Sequence, residues 1–418
     1  MLTAFPLHAT ESLSCSLFKT RMDKRKAGVC SGPGRMLEGG LYVHVAYCRR
    51  KCIYCDFFSA GERIADWHGY VDALCSEFLH RLNELAWPLR TVYFGGGTPS
   101  LMPAEEFLRL CSFLKPYMSE VEEFTVEVNP DDVDAHMLDV WKRGGVNRLS
   151  MGIQTFDDSV LKSIARRHDS ACALEAYRLA SEVFGNISVD LMFGLPGQTI
   201  DVWRRDLDMA LDLHPAHISA YSLMYEDGTA LTALRDSGRI KEASEELSES
   251  MFRMLIDQLS EHGYEHYEIS NFALPGYRSR HNTSYWLQKP YIGLGPSAHS
   301  YDGLTRRKSN LADIRGYIRH WTEYCGGTDV GRQPYEMESL TVDELKEEYL
   351  LTRMRMREGI PIGDFSDRFG QEACRRLMES CRPLAESGLI EMSDYNLSLT
   401  EKAVMLSDSV ILSIASHF

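Results

Sequence analysis

Three cysteines fall within eight residues of the chain, at Cys48, Cys52 and Cys55. They follow a short apolar, β-rich run, so their spacing places three thiols on one loop after a strand. Three thiolates can hold three irons of a cubane iron–sulfur cluster, whereas complete ligation by cysteine needs four. One iron would then be open to a ligand that the protein does not supply. Zinc is the alternative, but a structural zinc site needs four nitrogen or sulfur ligands, and the extra donor at hand, His44, lies within the strand.

The chain around this loop alternates between short apolar runs and longer helical patterns. This alternation predicts parallel strands joined by right-handed crossovers. Six strands indicate an α/β fold with a partial (β/α)6 barrel, in which binding groups gather at the carboxyl ends of the strands. The candidate strands are residues 41–45, 91–94, 124–128, 148–152, 187–193 and 217–223. The candidate helices between and after them are residues 66–85, 103–117, 135–143, 157–184, 199–213 and 248–262.

Four regions differ in composition. Residues 1–35 are basic and end in a turn-forming Ser-Gly-Pro-Gly stretch, which predicts a disordered extension. Alternatives are an over-extended start before Met36 and an organelle transit peptide. The predicted barrel covers residues 36–263, and residues 264–336 are rich in Tyr, Trp and Gly. Residues 337–418 are acidic and helical, and two or three helices with a small hairpin resemble a winged-helix module.

Composition narrows the class of protein. Of 418 residues, 44% are hydrophobic and 25% are charged, which is typical of a globular protein. The net charge of −15 argues against a general binder of nucleic acid or of anionic membranes. No apolar run reaches the roughly 18 residues of a transmembrane helix, and no secretory pattern opens the chain. Scattered single cysteines beside one cluster indicate a reducing, cytoplasmic location.

The cysteine spacing resembles the signature of the radical S-adenosylmethionine (SAM) superfamily. In that family the open iron binds the amino and carboxylate groups of SAM. The chain is most similar to the branch that holds the oxygen-independent coproporphyrinogen III dehydrogenases and the heme chaperones of the HemW family. The resemblance covers roughly residues 40–400. The residues that match SAM-contacting positions of this branch are Tyr42, Tyr54, Gly96, Gly97, Thr98, Glu127, Gln154, Arg166 and Asp190.

The chemistry of these residues suits that assignment. Glycines after a strand let the backbone approach a ligand, and their free N–H groups can hold the methionyl part. Asp190 is suited to accept hydrogen bonds from ribose hydroxyls. Arg166 and Glu127 can pair with the carboxylate and ammonium ends of SAM. Tyr42 and Tyr54 offer apolar faces with polar tips.

Two features separate the chaperones from the dehydrogenases. The dehydrogenases resemble this chain but place a fourth cysteine two residues after the third, where this chain has Phe57. A phenyl ring can neither bind metal nor donate a hydrogen bond. The second feature resembles the H-N-x-x-Y-W motif of the HemW family, and its residues are His281, Asn282, Tyr285 and Trp286.

The motif implies heme binding. Imidazole is a standard axial ligand of heme iron, and Tyr and Trp offer flat surfaces to a porphyrin. Arg278 and Arg280 can pair with heme propionates. The resemblance thus implies a heme chaperone with a [4Fe–4S] cluster and bound SAM, an unidentified acceptor protein and an electron donor. The alternatives are oxidative decarboxylation of coproporphyrinogen III and a purely structural iron–sulfur scaffold.

Overall fold

The computed structural model describes residues 38–324 and 334–416, so the basic segment 1–35 lies outside the described residues. All six predicted strands form, and they pair in parallel in chain order. The α/β fold predicted from the alternating pattern is therefore confirmed. The six strands are β1 (Gly39–Val45), β2 (Leu89–Gly96), β3 (Glu123–Val128), β4 (Arg148–Gln154), β5 (Ile187–Phe193) and β6 (His217–Ser222).

The same sheet continues beyond these strands at both edges. Its order is β12-β11-β10-β9-β1-β2-β3-β4-β5-β6-β8-β7, and β9 pairs in parallel with β1. The Tyr-, Trp- and Gly-rich region thus extends the barrel sheet. The added strands are β7 (Glu265–Glu268), β8 (Asn271–Ala273), β9 (Tyr291–Leu294), β10 (His299–Tyr301), β11 (Arg306–Asn310) and β12 (Tyr335–Ser339).

The strands bury both faces, as parallel strands between helices and a barrel interior must. In β1, Leu41, Val43 and Val45 are fully buried against the helical layer. The alternate positions face the interior, where polar side chains collect. The helices of this part of the chain are α1 (Trp67–Arg81), α2 (Ala104–Leu114), α3 (Ala135–Gly144), α4 (Asp158–Ser163), α5 (Ser170–Ser181), α6 (Ile200–Asp212), α7 (Ala230–Asp236), α8 (Glu245–Glu261), α9 (Arg280–Trp286) and α10 (Ile314–Tyr324).

The single helix predicted over residues 157–184 is wrong, because it is two helices. Ala165 has a left-handed φ of 63°, which ends α4. The side chain of Asp169 accepts a hydrogen bond from the Cys172 N–H and starts α5 as a new N-cap. The break between α4 and α5 places Arg166 in the interior of the barrel. The segment predicted as continuous helix therefore contributes a side chain to the candidate site.

The C-terminal region has its own core, which includes Leu350, Phe365, Leu377 and Ile411. The predicted hairpin is confirmed, since β14 and β15 pair antiparallel and β13 joins them. Across the described ranges, no helix combines the length and apolar character needed to cross a bilayer. The elements of this region are α11 (Val342–Arg353), β13 (Ile360–Pro361), α12 (Ile362–Phe369), α13 (Gln371–Glu386), β14 (Ile390–Met392), β15 (Asn396–Leu399) and α14 (Ser407–Ala415).

Candidate functional site

A cavity of about 530 Å³ opens at the carboxyl ends of the parallel strands. This is the end at which an α/β barrel collects its binding groups. Most of the predicted site residues line it together, although they come from loops and strands far apart in sequence. They are Cys48, Cys52, Tyr54, Cys55, Gly96, Gly97, Thr98, Glu127, Gln154, Arg166, Asp190 and Asn282. Four others, Tyr42, His281, Tyr285 and Trp286, lie outside the lining.

The cysteine loop is closed at its base by a short parallel pairing of Tyr47–Cys48 with Ala60–Gly61. Two of its sulfurs already accept hydrogen bonds from the cavity wall. Thr98 Oγ1 donates to Cys48 Sγ at 3.4 Å, and Arg166 Nη1 donates to Cys52 Sγ at 3.6 Å. Burial raises the pKa of Cys55 to about 11, and the neighbouring thiols add to this rise. A metal centre would have to displace that proton, as thiolate ligation always does.

The donor set fits a cluster held by three cysteines. Cys75, the next cysteine along the described chain, lies in α1 and does not line the cavity. Phe57 stands two residues after Cys55, where a fourth cysteine is expected in a dehydrogenase. Its phenyl ring lines the cavity, is 60% exposed and cannot bind metal. Among the residues described, no three His, Cys, Asp or Glu side chains converge on a single metal ion.

The glycine run passes directly against β1. Gly96 has a φ of 105°, and a Cβ on it would lie 2.5 Å from His44 Nδ1. A Cβ on Gly97 would lie 2.7 Å from the Val45 carbonyl oxygen. The expectation of free N–H groups is wrong at these two residues. The Gly96 N–H donates to Glu127 Oε2 at 3.1 Å, and the Gly97 N–H donates to Val45 at 2.9 Å. Glycine is needed here for the close approach to β1.

Two partly buried carboxylates, Glu127 on β3 and Asp190 on β5, face the cavity from either side of β4. Glu127 Oε1 accepts from the Tyr93 hydroxyl at 2.8 Å, and burial raises the Glu127 pKa to about 7. Asp190 Oδ2 accepts from the Ser150 hydroxyl at 2.9 Å, and Oδ1 accepts from Ser188 at 2.9 Å. Burial also raises the Asp190 pKa. Both groups are therefore held in fixed orientations, ready to accept donors from a ligand.

Arg166 is one of the cationic residues that line the cavity. One guanidinium nitrogen, Nη2, donates to Asn129 Oδ1 at 2.8 Å and also to the Gly152 carbonyl. These bonds, with that to Cys52, fix the guanidinium beside the cysteine loop. Gln154 ends β4 with a left-handed φ of 74° and also lines the cavity.

Sequence reasoning missed several supporting residues of this cavity. A signal for two of them exists, because Ser150 and Ser188 stand two residues before Gly152 and Asp190 and so share their inward face. Tyr93 has the same relation to Gly95 on β2. The predicted contact residue Tyr42 stacks on Tyr93, with ring centroids 6.2 Å apart, and does not line the cavity itself.

The helix of the H-N-x-x-Y-W motif, α9, closes the opposite end of the barrel. Its N-terminal N–H groups, those of Arg280 and His281, donate to the two carboxylate oxygens of Glu123, each at 2.9 Å. The His281 ring is fully buried. Its Nδ1 pairs with Thr91 Oγ1 at 2.8 Å, and its Nε2 pairs with the Tyr285 hydroxyl at 2.8 Å. Burial lowers the His281 pKa to about 3, so the imidazole is neutral.

The other three residues of the motif, Asn282, Tyr285 and Trp286, are partly buried. Asn282 reaches the cavity, and Tyr285 packs edge-on against Tyr291 at 4.6 Å between centroids. Trp286 has a buried Nε1 with no hydrogen-bond partner among the described residues. The two arginines expected to meet propionates bind glutamates instead. Arg278 pairs with Glu265 and Glu358, and Arg280 pairs with Glu122.

This combination of a partial barrel and a three-cysteine loop over a polar cavity is that of a radical SAM protein. Residues 42–210 match the Radical SAM superfamily, and residues 340–406 match the HemN C-terminal domain. The fold is similar to that of coproporphyrinogen III oxidase (HemN) from Escherichia coli. The TM-score is 0.77 at 21% identity, over 92% of this chain and 91% of that chain.

Sequence comparison narrows the class. The chain is 35% identical over 375 residues to the heme chaperone HemW of Bacillus subtilis, covering 88% of this chain and 97% of that protein. It is 31% identical over 424 residues to the mitochondrial radical S-adenosyl methionine domain-containing protein 1 of Bos taurus, covering 96% and 93%. The chain belongs to the HemW family of the radical SAM superfamily.

Proposed function

We propose that this protein is a heme chaperone that binds a [4Fe–4S] cluster, SAM and heme, and delivers heme to an acceptor protein. The observation that carries the proposal is the placement of the motif helix α9. Its Asn282 lines the same cavity as the three cysteines, and His281 lies one layer beneath. The names of the relatives that the chain matches support the same function.

The cysteines Cys48, Cys52 and Cys55 would hold the cluster. When bound, the cluster would supply an electron-transfer centre next to the sulfonium group of SAM. Asp190 suits the ribose hydroxyls, and Glu127 suits the ammonium group. Arg166 already sits beside Cys52 and suits the carboxylate. The protein therefore provides a complementary group for the ribose hydroxyls, the ammonium and the carboxylate of SAM.

Phe57 favours a chaperone over a porphyrinogen dehydrogenase. Its ring is exposed two residues after Cys55 and offers no thiol. A purely structural scaffold is also disfavoured, because it would not need two partly buried carboxylates oriented towards an open cavity. The acceptor and the electron donor are partners that the proposal requires, with heme as the cargo.

The proposal is tested by titrating anaerobically reconstituted protein with heme and following the Soret band. His281→Gln keeps hydrogen-bonding capacity at the buried site but removes the imidazole ligand, and His299→Gln is the matched control near the surface. We expect stoichiometric binding by the unaltered chain and by the control, with at least tenfold weaker binding by His281→Gln, about 1.4 kcal/mol or more. Equal affinity in all three would exclude His281 as the ligand, and no heme binding by the unaltered chain would refute the proposal.

A further inference from the structure

Arg148 opens β4 deep inside the barrel. Arg148 is only 1% exposed, and its Nε and Nη1 have no hydrogen-bond partner among the described residues. No carboxylate in the described part of the chain forms an ion pair with it. An arginine stays charged in proteins, and a buried charge without a partner is strongly unfavourable. This guanidinium therefore points to a missing anionic partner.

The side chain faces the cavity from below. Side chains alternate along a strand, so Arg148 shares the inward face of Ser150 and Gly152, which both line the cavity. The positive charge of Arg148 acts on titratable groups both above it, at the cavity, and below it, at the floor. Its charge acts on Glu127 and Asp190 above. The guanidinium therefore occupies the layer between the cavity and the floor.

Among the described residues of the floor, none forms an ion pair with Arg148. The neutral rings of His217 and His281 lie there, and the charge of Arg148 adds to the effect of burial in lowering the pKa of both. Glu123 is the carboxylate of this layer, but its two oxygens accept from the N–H groups of α9.

The carboxylates above are also engaged. Glu127 accepts from Tyr93 and Gly96, and Asp190 accepts from Ser150 and Ser188. The interior thus holds one guanidinium that its own acidic groups leave without a bidentate partner.

We propose that Arg148 is a carboxylate-binding subsite beneath the cavity, which takes a propionate arm of the bound tetrapyrrole. The inference rests on the proposed function and adds to it the group that anchors the cargo. A planar guanidinium binds a carboxylate through two parallel hydrogen bonds, and such charge-assisted bonds are the strong ones. Ser150, which lines the cavity, lies two residues from Arg148 on the same inward face, so a propionate arm would reach the guanidinium past this side chain. Arg278 and Arg280 are already paired with glutamates on the outer side, so they are poorer anchors.

The test compares heme with heme dimethyl ester, which keeps the macrocycle and the iron but lacks both carboxylates. We expect the unaltered chain to prefer heme by about tenfold or more, the scale of a charged hydrogen-bonded pair. Arg148→Gln should lose this preference while its affinity for the ester stays unchanged. Arg148→Lys should keep part of the preference. Arg143→Gln, in an exposed ion pair with Asp139, is the matched control.

The outcomes separate the two proposals. Equal binding of heme and ester by the unaltered chain would overturn the subsite without any variant, and heme binding itself would still stand. Retention of the full preference in Arg148→Gln would overturn it as well. Circular dichroism of each variant shows whether the fold is kept. If Arg148→Gln does not fold, the subsite is tested by Arg148→Lys and by the comparison of heme with its ester in the unaltered chain. Failure of the unaltered chain to bind either compound would overturn both proposals.

Discussion

The imidazole of His281 stacks on the phenol ring of Tyr93, with ring centroids 5.0 Å apart and planes 23° apart. The Tyr93 hydroxyl in turn donates to Glu127, which lines the cavity. The motif helix and the cavity wall are therefore connected through one aromatic side chain. Both ring nitrogens of His281 are engaged, so either one must leave a hydrogen bond before it can bind heme iron.

This competition predicts opposite roles for the two partners of His281. If Nε2 binds iron, Tyr285→Phe removes the bond that must be broken and keeps the aromatic ring. Heme affinity should then rise by about fivefold, near the net value of 1 kcal/mol for one hydrogen bond. Thr91→Val, which frees only Nδ1, should leave the affinity unchanged or lower it. Soret titration measures both, and a rise in Thr91→Val alone would show that Nδ1 is the ligand.

The three cysteines of the loop should be equivalent for cluster assembly. Changing Cys48, Cys52 or Cys55 to serine removes one of only three protein ligands, and we expect iron and sulfide to fall to near background in each variant after anaerobic reconstitution. Cys75→Ser is the control, because its sulfur lies in α1 outside the cavity lining. A variant of the loop that keeps a full complement of iron would contradict the assignment, as would zinc as the sole metal.

Sequence reasoning reached the fold because the pattern is local. The six strands carry their own β-rich runs, and each predicted strand agrees with the structure to within a few residues. The helix over 157–184 failed because helical periodicity continues across the break, and only Ala165 and the N-cap Asp169 interrupt it. A single left-handed residue leaves no periodic signal.

The placement of residues around the cavity was predictable where spacing along the chain carries it, as for the cysteines, and where a side chain lies on a barrel strand, as for Glu127 and Asp190. It was not predictable where a partner comes from a distant segment. Glu123 lies in β3, yet it caps α9 more than 150 positions later and so fixes the place of His281. Sequence alone gives no sign of that contact, so it also gave no sign that His281 is enclosed.

Glu127 predicts a pH dependence of stability. Its pKa of about 7 in the folded chain is above its ordinary value of 4.5, because the carboxyl is buried. Between these values the folded chain holds a proton that the unfolded chain has lost, so stability falls as pH rises through this interval. The amide in Glu127→Gln stays neutral at every pH, so this variant does not lose stability over the interval.

Urea unfolding of the ligand-free protein at pH 5 and pH 8 measures the effect. We expect Glu127→Gln to gain up to about 3 kcal/mol relative to the unaltered chain between the two pH values. Glu182→Gln, at an exposed position, is the control and should show no such gain. Parallel pH curves for Glu127→Gln and the unaltered chain would show that the carboxylate is ionised when folded.

The buried acid Glu77 of α1 predicts a structural role for the glycine-rich turn after β9. Its carboxylate is fully buried and accepts from the Gly295 N–H at 3.0 Å and from the Tyr317 hydroxyl at 2.6 Å. Arg81, one turn later, donates to the Gly293 carbonyl at 2.8 Å. This turn is therefore bound to α1.

Glu77 and Arg81 form a buried ion pair at 3.4 Å. Removing one partner of such a pair costs about 3 kcal/mol or more, and here the Gly295 N–H and the Tyr317 hydroxyl also lose their charged acceptor. Glu77→Gln should lower the free energy of unfolding by that amount. Glu84→Gln should cost less than about 1 kcal/mol, since Glu84 is partly exposed and its pair with Arg81 is screened by solvent. Urea unfolding compares the two. A loss below about 1 kcal/mol in Glu77→Gln as well would contradict the structural role of Glu77, and the turn would then owe its place to the backbone pairing of β9 with β1.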